Sequence, residues 1–242
     1  MPSKRERDRI DAVISDYALK KNVVSQFLKV VVLALGDSDE LSRHVHSIKS
    51  RVKSEASLRD KLYRKLADCK TRNKPFNVTK DNLLYKITDL AGIRILHLHT
   101  RQFSSINTEL LAILKEQKYN VKEGPFARTW DDESRAFFRE QHVQIEDSET
   151  LYTSVHYVIE SASRTKVTCE IQVRTLMEEV WGEVDHAINY PHASDSVACR
   201  EQIKALARST SATTRLVDSI FATLHDLRYR GLRRNWRQAI NR

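Results

Sequence analysis

Glycine is the residue whose placement most restricts what this chain can become. Only five occur, Gly36, Gly92, Gly124, Gly182 and Gly231, and no two stand close enough to build a GxGxxG or GxxxxGK[ST] turn. Both turns use glycine to let the backbone approach a phosphate chain. Their absence excludes the dinucleotide fingerprint of doubly wound sheets and the phosphate-cradling loop of strand–loop–helix nucleotide binders. A nucleotide on this chain has to be held by side chains.

Side chains of the right charge are present, and they are segregated. Residues 1–80 carry 19 basic and 10 acidic groups, residues 81–195 carry 12 and 19, and residues 196–242 carry 10 and 3. Within the first block, Arg43, Lys49, Arg51, Lys53, Arg59, Lys61, Arg64 and Lys65 face only Glu55 and Asp60 over residues 43–65. Such a cluster attracts polyanions, although a solvated helix face has the same composition.

Other classes are excluded by simple counts. The apolar run Val30–Leu35 is far shorter than the roughly 20 residues of a membrane span. The charged N-terminus is not followed by a signal-peptide core. Three cysteines, Cys69, Cys169 and Cys199, lack metal-binding spacing and suit a reduced, cytoplasmic compartment. Hydrophobic residues at 40% allow a sizeable core in the 242 residues.

Periodicity predicts a long first helix over 3–35, with Ser3 as cap and Ile10, Val13, Ile14, Tyr17, Val24, Phe27, Leu28 and Val31 as its stripe. A short strand is expected within 44–52, a helix over 54–68, and a polar loop over 71–82. Residues 91–98 read as a central strand and 104–117 as a helix. Residues 122–150 read as an edge strand and an irregular connection. The clearest strands are 152–160 and 166–173, expected as neighbours. Helices follow at 175–188 and 197–228, and the basic end, 228–242, is expected to fray. The order predicts an α+β fold: a mixed β-sheet flanked by helices, with long N- and C-terminal helices. The expected division is an N-terminal extension (1–42), a core (43–195) and a C-terminal helix with basic tail (196–242).

Alternation along 166–173 puts Val167, Cys169, Ile171 and Val173 on one face and Thr168, Glu170, Gln172 and Arg174 on the other. A carboxylate in a central strand needs a partner, either Arg174 or a metal shared with a second acid. Asp89, at the mouth of the strand in ITDLAGIRI, is the second acid available. Two carboxylates and a divalent ion commonly hold a triphosphate. On spacing alone, a capping Asp and an ion-paired Glu explain the same residues. Tyr152 and His156, in YTSVH, offer a stacking ring and a polar contact, or an ordinary packed strand. Arg51, Lys53, Ser57 and Lys61 gather around a helix start, where the dipole assists phosphate binding.

In order and spacing, four segments resemble the RelA/SpoT-type (p)ppGpp synthetases: RVKSEASLRDKLYRK (51–65), ITDLAGIRI (87–95), YTSVHYVI (152–159) and EIQVRTLMEEVWGEVDHAINY (170–190). The resemblance covers about residues 43–190 and points to a small, synthetase-only member with a nucleotidyltransferase-like fold. It implies transfer of the β,γ-pyrophosphate of ATP to the 3′-hydroxyl of GTP or GDP. Under it, Asp89 and Glu170 are the catalytic and Mg²⁺-binding acids. Arg51 and Arg94 sandwich adenine. Lys53 and Lys61 hold phosphates, with Ser57 nearby. Tyr152 and His156 meet the acceptor, and Gln172 and Arg174 line the polar strand face.

The acceptor segment departs from the family. Leu151 stands where glycine is usual and Thr153 where Arg or Gln is common, while Asp147 and Glu149 replace basic character. Relatives of toxin type that use adenine nucleotides or the 3′ end of tRNA supply the alternative acceptors. The arginines after position 227 are candidate RNA or oligomer contacts. The expected protein is a cytoplasmic enzyme without membrane attachment, possible as a homo-oligomer.

Overall fold

The computed structural model describes residues 2–148, 150–190 and 194–240, with side chains as far as Arg228. Helix α1 spans Lys4–Gly36 and opens with a capping box, in which Ser3 and Glu6 satisfy each other's backbone amides. The apolar stripe read from the sequence is buried, and Leu35 extends it. After a short helix α2 (Asp39–Ser42) comes strand β1 (Ser47–Val52), shorter than the expected 44–52. Ser54 then caps α3 (Glu55–Thr71), which buries Leu58, Leu62 and Leu66. A loop and a one-turn helix, α4 (Leu83–Lys86), lead into β2 (Ala91–His97).

Helix α5 (Gln102–Glu116) connects to β3 (Asn120–Thr129), α6 (Asp132–Glu140) and β4 (Gln144–Asp147). This corrects the edge-strand and irregular-connection reading of 122–150. The strand there is interior, pairing with β5 on one side and β4 on the other. Register shifts between Val121 and Phe126 break its alternation. Gly124 sits at φ +85°, where a Cβ would stand 2.3 Å from the carbonyl oxygen of His156. Only glycine fits that kink.

Strands β5 (Ser154–Glu160) and β6 (Thr168–Thr175) are antiparallel neighbours, as expected. The sheet order is β1-β2-β6-β5-β3-β4, and β2 runs parallel to β6. One face is apolar: Ile93, Ile95, Val155, Tyr157, Ile159, Cys169, Ile171 and Val173 share a core with the stripe of α1, with α3 and with α5. Burial of these aliphatic and aromatic side chains is the main driving force for the assembly.

The opposite face carries the polar residues, and its far end is roofed by α7 (Leu176–Asn189). This helix follows β6 without a linker, because Thr175 ends the strand and caps the helix. Helix α8 (Val197–Ile240) leans on α7, with Trp181 donating its indole N–H to the carbonyl of Ile203. The helix continues past 228, where the sequence reading placed its end. Among the described residues, no helix is long and apolar enough to cross a membrane.

Candidate active site

Antiparallel pairing of β1 with β2 sets Arg51 opposite Gly92 and Lys49 opposite Arg94. Parallel pairing of β2 with β6 sets Gly92 beside Glu170 and Arg94 beside Gln172. The missing side chain at Gly92 leaves a gap in the polar face between Arg51 and Glu170. Above it lies a cavity of about 240 Å³ whose lining includes Arg51, Asp89, Arg94, Glu170 and Gln172. A second lobe, about 360 Å³, is lined by Lys53, Ser57, Lys61, Arg64 and Tyr190 and shares Arg51, Asp89 and His186 with the first.

Asp89 sits in the turn before β2, between two ammonium groups. Lys53 approaches one oxygen at 3.0 Å and Lys61 the other at 2.8 Å. Lys53 is placed by the end of β1, where its amide donates to the carbonyl of Leu90 and its own carbonyl accepts from Tyr17 of α1. Lys61 is placed one turn after Ser57 on α3. Burial pushes the Asp89 carboxyl up, but the two lysines outweigh it and hold the group below its ordinary value.

Glu170 is embedded in a hydrogen-bond chain along the polar face. His156 Nδ1 lies 3.2 Å from Oε1, and Gln172 Nε2 donates to Oε2 at 3.0 Å. Tyr152 donates its hydroxyl to Gln172 and accepts from Arg174, both at 3.2 Å. Phe126 stacks on His156, with ring planes 3° apart. Burial raises the Glu170 carboxyl, and the contact with His156 more than compensates, so it too lies below the ordinary value. Both acids are therefore ionised at neutral pH.

Arg174, one of the partners considered for Glu170, is not its partner. It is buried against Glu179 on α7, and its guanidinium lies over Tyr152, 5.5 Å from the ring centroid. Gly182, one turn further along α7, admits that guanidinium: a Cβ there would stand 2.9 Å from Nη1. Arg94 also reaches α7, pairing with Glu179 at 3.2 Å and with Glu183.

The fold thus brings Arg51, Lys53, Ser57, Lys61, Asp89, Arg94, Glu170 and Gln172 around one two-lobed cavity. Tyr152, His156 and Arg174 lie on the same sheet face, beside it. Sequence reasoning missed Glu179, which is 4% exposed, and the wall that His186 and Tyr190 form with Arg64, a member of the basic run at 43–65. His186 and Tyr190 stack at 4.4 Å, and Arg64 lies over Tyr190 at 4.8 Å. Their i, i+4 spacing at the end of α7 was the available signal. Glu149 and the side chains of the arginines at 230, 233, 234, 237 and 242 lie outside the described residues.

The fold is a mixed sheet with one apolar face, and with acids ringed by Lys and Arg on the other. The chain belongs to the RelA/SpoT family: a family model described as a region found in RelA / SpoT proteins matches residues 50–195. No curated protein matches the chain.

Solved structures share the fold at low identity. Small alarmone synthetase 2 from Bacillus subtilis is 18% identical with a TM-score of 0.60, covering 87% of this chain and 99% of that one. A GTP pyrophosphokinase family protein from Streptococcus pneumoniae is 18% identical with a TM-score of 0.58, covering 93% and 97%. Small alarmone synthetase 1 from Bacillus subtilis, solved bound to its product pppGpp, is 19% identical with a TM-score of 0.54, covering 86% and 93%. The same synthetase, solved bound to AMPCPP, is 17% identical with a TM-score of 0.51, covering 87% and 96%.

Proposed function

We propose that this protein is a nucleotide pyrophosphokinase that transfers the β,γ-pyrophosphate of ATP to the ribose 3′-hydroxyl of GTP or GDP. The observation that carries the reading is the shared cavity: Asp89 and Glu170 line it together with Arg51 and Arg94, and Lys53 and Lys61 line its second lobe. The complexes of small alarmone synthetase 1 with pppGpp and with AMPCPP support nucleotides of these two classes as ligands.

In this reading Arg51 and Arg94 flank the adenine, since a guanidinium plane stacks well on a purine. Lys53 and Lys61 exchange Asp89 for the phosphates, with Ser57 beside them. The acceptor's guanine meets Tyr152, with His156 and Gln172 ordering Glu170 below it. The 3′-oxygen attacks the β-phosphorus, the bond from that phosphorus to the α,β-bridging oxygen breaks, AMP leaves, and Glu170 receives the hydroxyl proton. Placement and charge neutralisation supply most of the acceleration of such a transfer. Two carboxylates facing one cavity are a donor set that Mg²⁺ accepts when phosphates provide further oxygens. Held by Asp89 and Glu170, it would neutralise charge on the transferred group.

A second acceptor is favoured by one observation. Two arginines on β3 and α6, beside the acceptor segment, are already paired, Arg128 with Glu146 at 3.1 Å and Arg135 with Asp147 at 3.2 Å. A free nucleotide's 5′-polyphosphate gains little there, whereas the 3′ end of an RNA needs no such grip.

The test is incubation with labelled ATP and Mg²⁺ against GTP, GDP, GMP, adenine nucleotides and bulk tRNA, with product identification. Label in GTP or GDP supports the first acceptor, and label in tRNA alone supports the second. Transfer to none of them refutes both. Asp89→Ala and Glu170→Ala are expected to lower the rate by roughly 10³-fold or more.

A further inference from the structure

We infer that Glu179 is a positioning residue that couples the two nucleotide subsites, by fixing Arg94 on one side and Arg174 with Tyr152 on the other. The inference rests on the donor and acceptor reading above and assigns a role to a residue outside its catalytic set.

Glu179 stands in the first turn of α7, where the helix dipole favours a carboxylate. It gathers cations from three strands: Lys49 of β1 at 2.9 Å, Arg94 of β2 at 3.2 Å, and Arg174 of β6. Lys49 and Arg94 are direct cross-strand partners, an arrangement that is repulsive unless an anion lies between them. Arg174 is 4% exposed, so its charge also requires a fixed counterion. One carboxylate meets both demands.

The consequences run in two directions. Arg94 lines the cavity in which Arg51 stands, so the position of its guanidinium shapes the donor slot. Arg174 holds the hydroxyl of Tyr152, the residue that meets the acceptor's guanine in that reading. Loss of the Glu179 charge frees Arg94 to follow Glu183, which is exposed, and loosens Tyr152. Neither change removes a group that touches the reacting atoms. Substrate affinity should therefore suffer before the chemical step does.

Glu179→Gln keeps the shape and removes the charge. Steady-state kinetics of the full chain should show KM for ATP and KM for the acceptor each raised about tenfold, the scale of losing one charge-assisted contact. Turnover at saturation should stay within about threefold. Glu179→Asp, which keeps the charge but withdraws it by one methylene, should fold and show intermediate KM values. It serves as the test if the Gln variant does not fold. Unchanged KM values in a folded variant, or a collapse of kcat at unchanged KM, overturn the inference. Titration with a fluorescent ATP analogue separates the two claims. A wild-type protein that does not bind it defeats the donor reading. Wild-type binding matched by an equal Kd for Glu179→Gln defeats the positioning role alone.

Discussion

Replacing Asp89 by Asn tests whether the acid is held in place by its lysines or merely lies near them. The substitution keeps the outline of the side chain and removes its charge. Lys61 is a third exposed and can turn to solvent, but Lys53 is only 8% exposed and cannot. A hydrogen bond to a charged group contributes about 1.5–3 kcal/mol, and removing one partner of a fully buried pair costs about 3–5 kcal/mol. With one of the two lysines able to escape, a loss of about 2–3 kcal/mol is expected. For a chain of this length that corresponds to about 4–12 °C in Tm.

Lys53→Met removes the stranded ammonium and fills its site, so the double variant Asp89→Asn, Lys53→Met should recover about 2 kcal/mol of that loss. Urea unfolding of the wild type, both single variants and the double variant, without nucleotide and at fixed ionic strength, reads the coupling directly. All three variants should be catalytically impaired, since activity and stability are lost for different reasons. Costs that simply add, or an Asn variant as stable as the wild type, would refute the argument that this pair is structurally coupled.

Two further outcomes follow from the same geometry. Burial pushes the Glu178 carboxyl up to about 7, although it accepts the amide of Thr153. A carboxyl raised from 4.5 binds its proton more tightly in the folded state, so its contribution to stability is intact below about pH 4.5 and declines as pH rises through 7. Glu178→Gln should therefore gain up to about 3 kcal/mol relative to wild type on moving from pH 4.5 to 8, measured by urea unfolding at both pH values. At Gly92 an added Cβ meets nothing closer than 3.8 Å, so Gly92→Leu should fill the cavity floor without unfolding the protein. Nucleotide binding by calorimetry should disappear while Tm moves by less than about 3 °C.

How much of this was readable in advance depends on the range of the interaction concerned. Helix α1 and its cap, β2, β5, β6 and α3 follow from periodicity and capping chemistry, which act over a few residues. The two-faced character of β6 was visible for the same reason, because alternation is a property of the strand itself. The interior place of strand β3 escaped, and it was read as an edge, because Gly124-Pro125 and the shifted register interrupt that alternation. Helix α6 escaped because its signal is a single pair, Phe137 and Phe138, within nine residues.

The candidate site divides along the same line. The spacing of the glycines, the basic run at 51–65 and the acids Asp89 and Glu170 suggested phosphate held by side chains, while a solvated helix face and an ion-paired Glu explained the same residues. They could not announce which charge meets which. Arg174 stands four residues after Glu170 on the same strand face, yet it pairs with Glu179, because β6 turns directly into α7 and the cap at Thr175 folds that helix back over the sheet. The spacing of Lys53 and Lys61 around a helix start suits phosphate, and in the folded chain they close on Asp89. Sequence alone determined the residue types and the faces they occupy, since both follow from local backbone geometry. Only tertiary structure decided the ion pairs, because Coulomb energy depends on distances through space that chain separation does not encode.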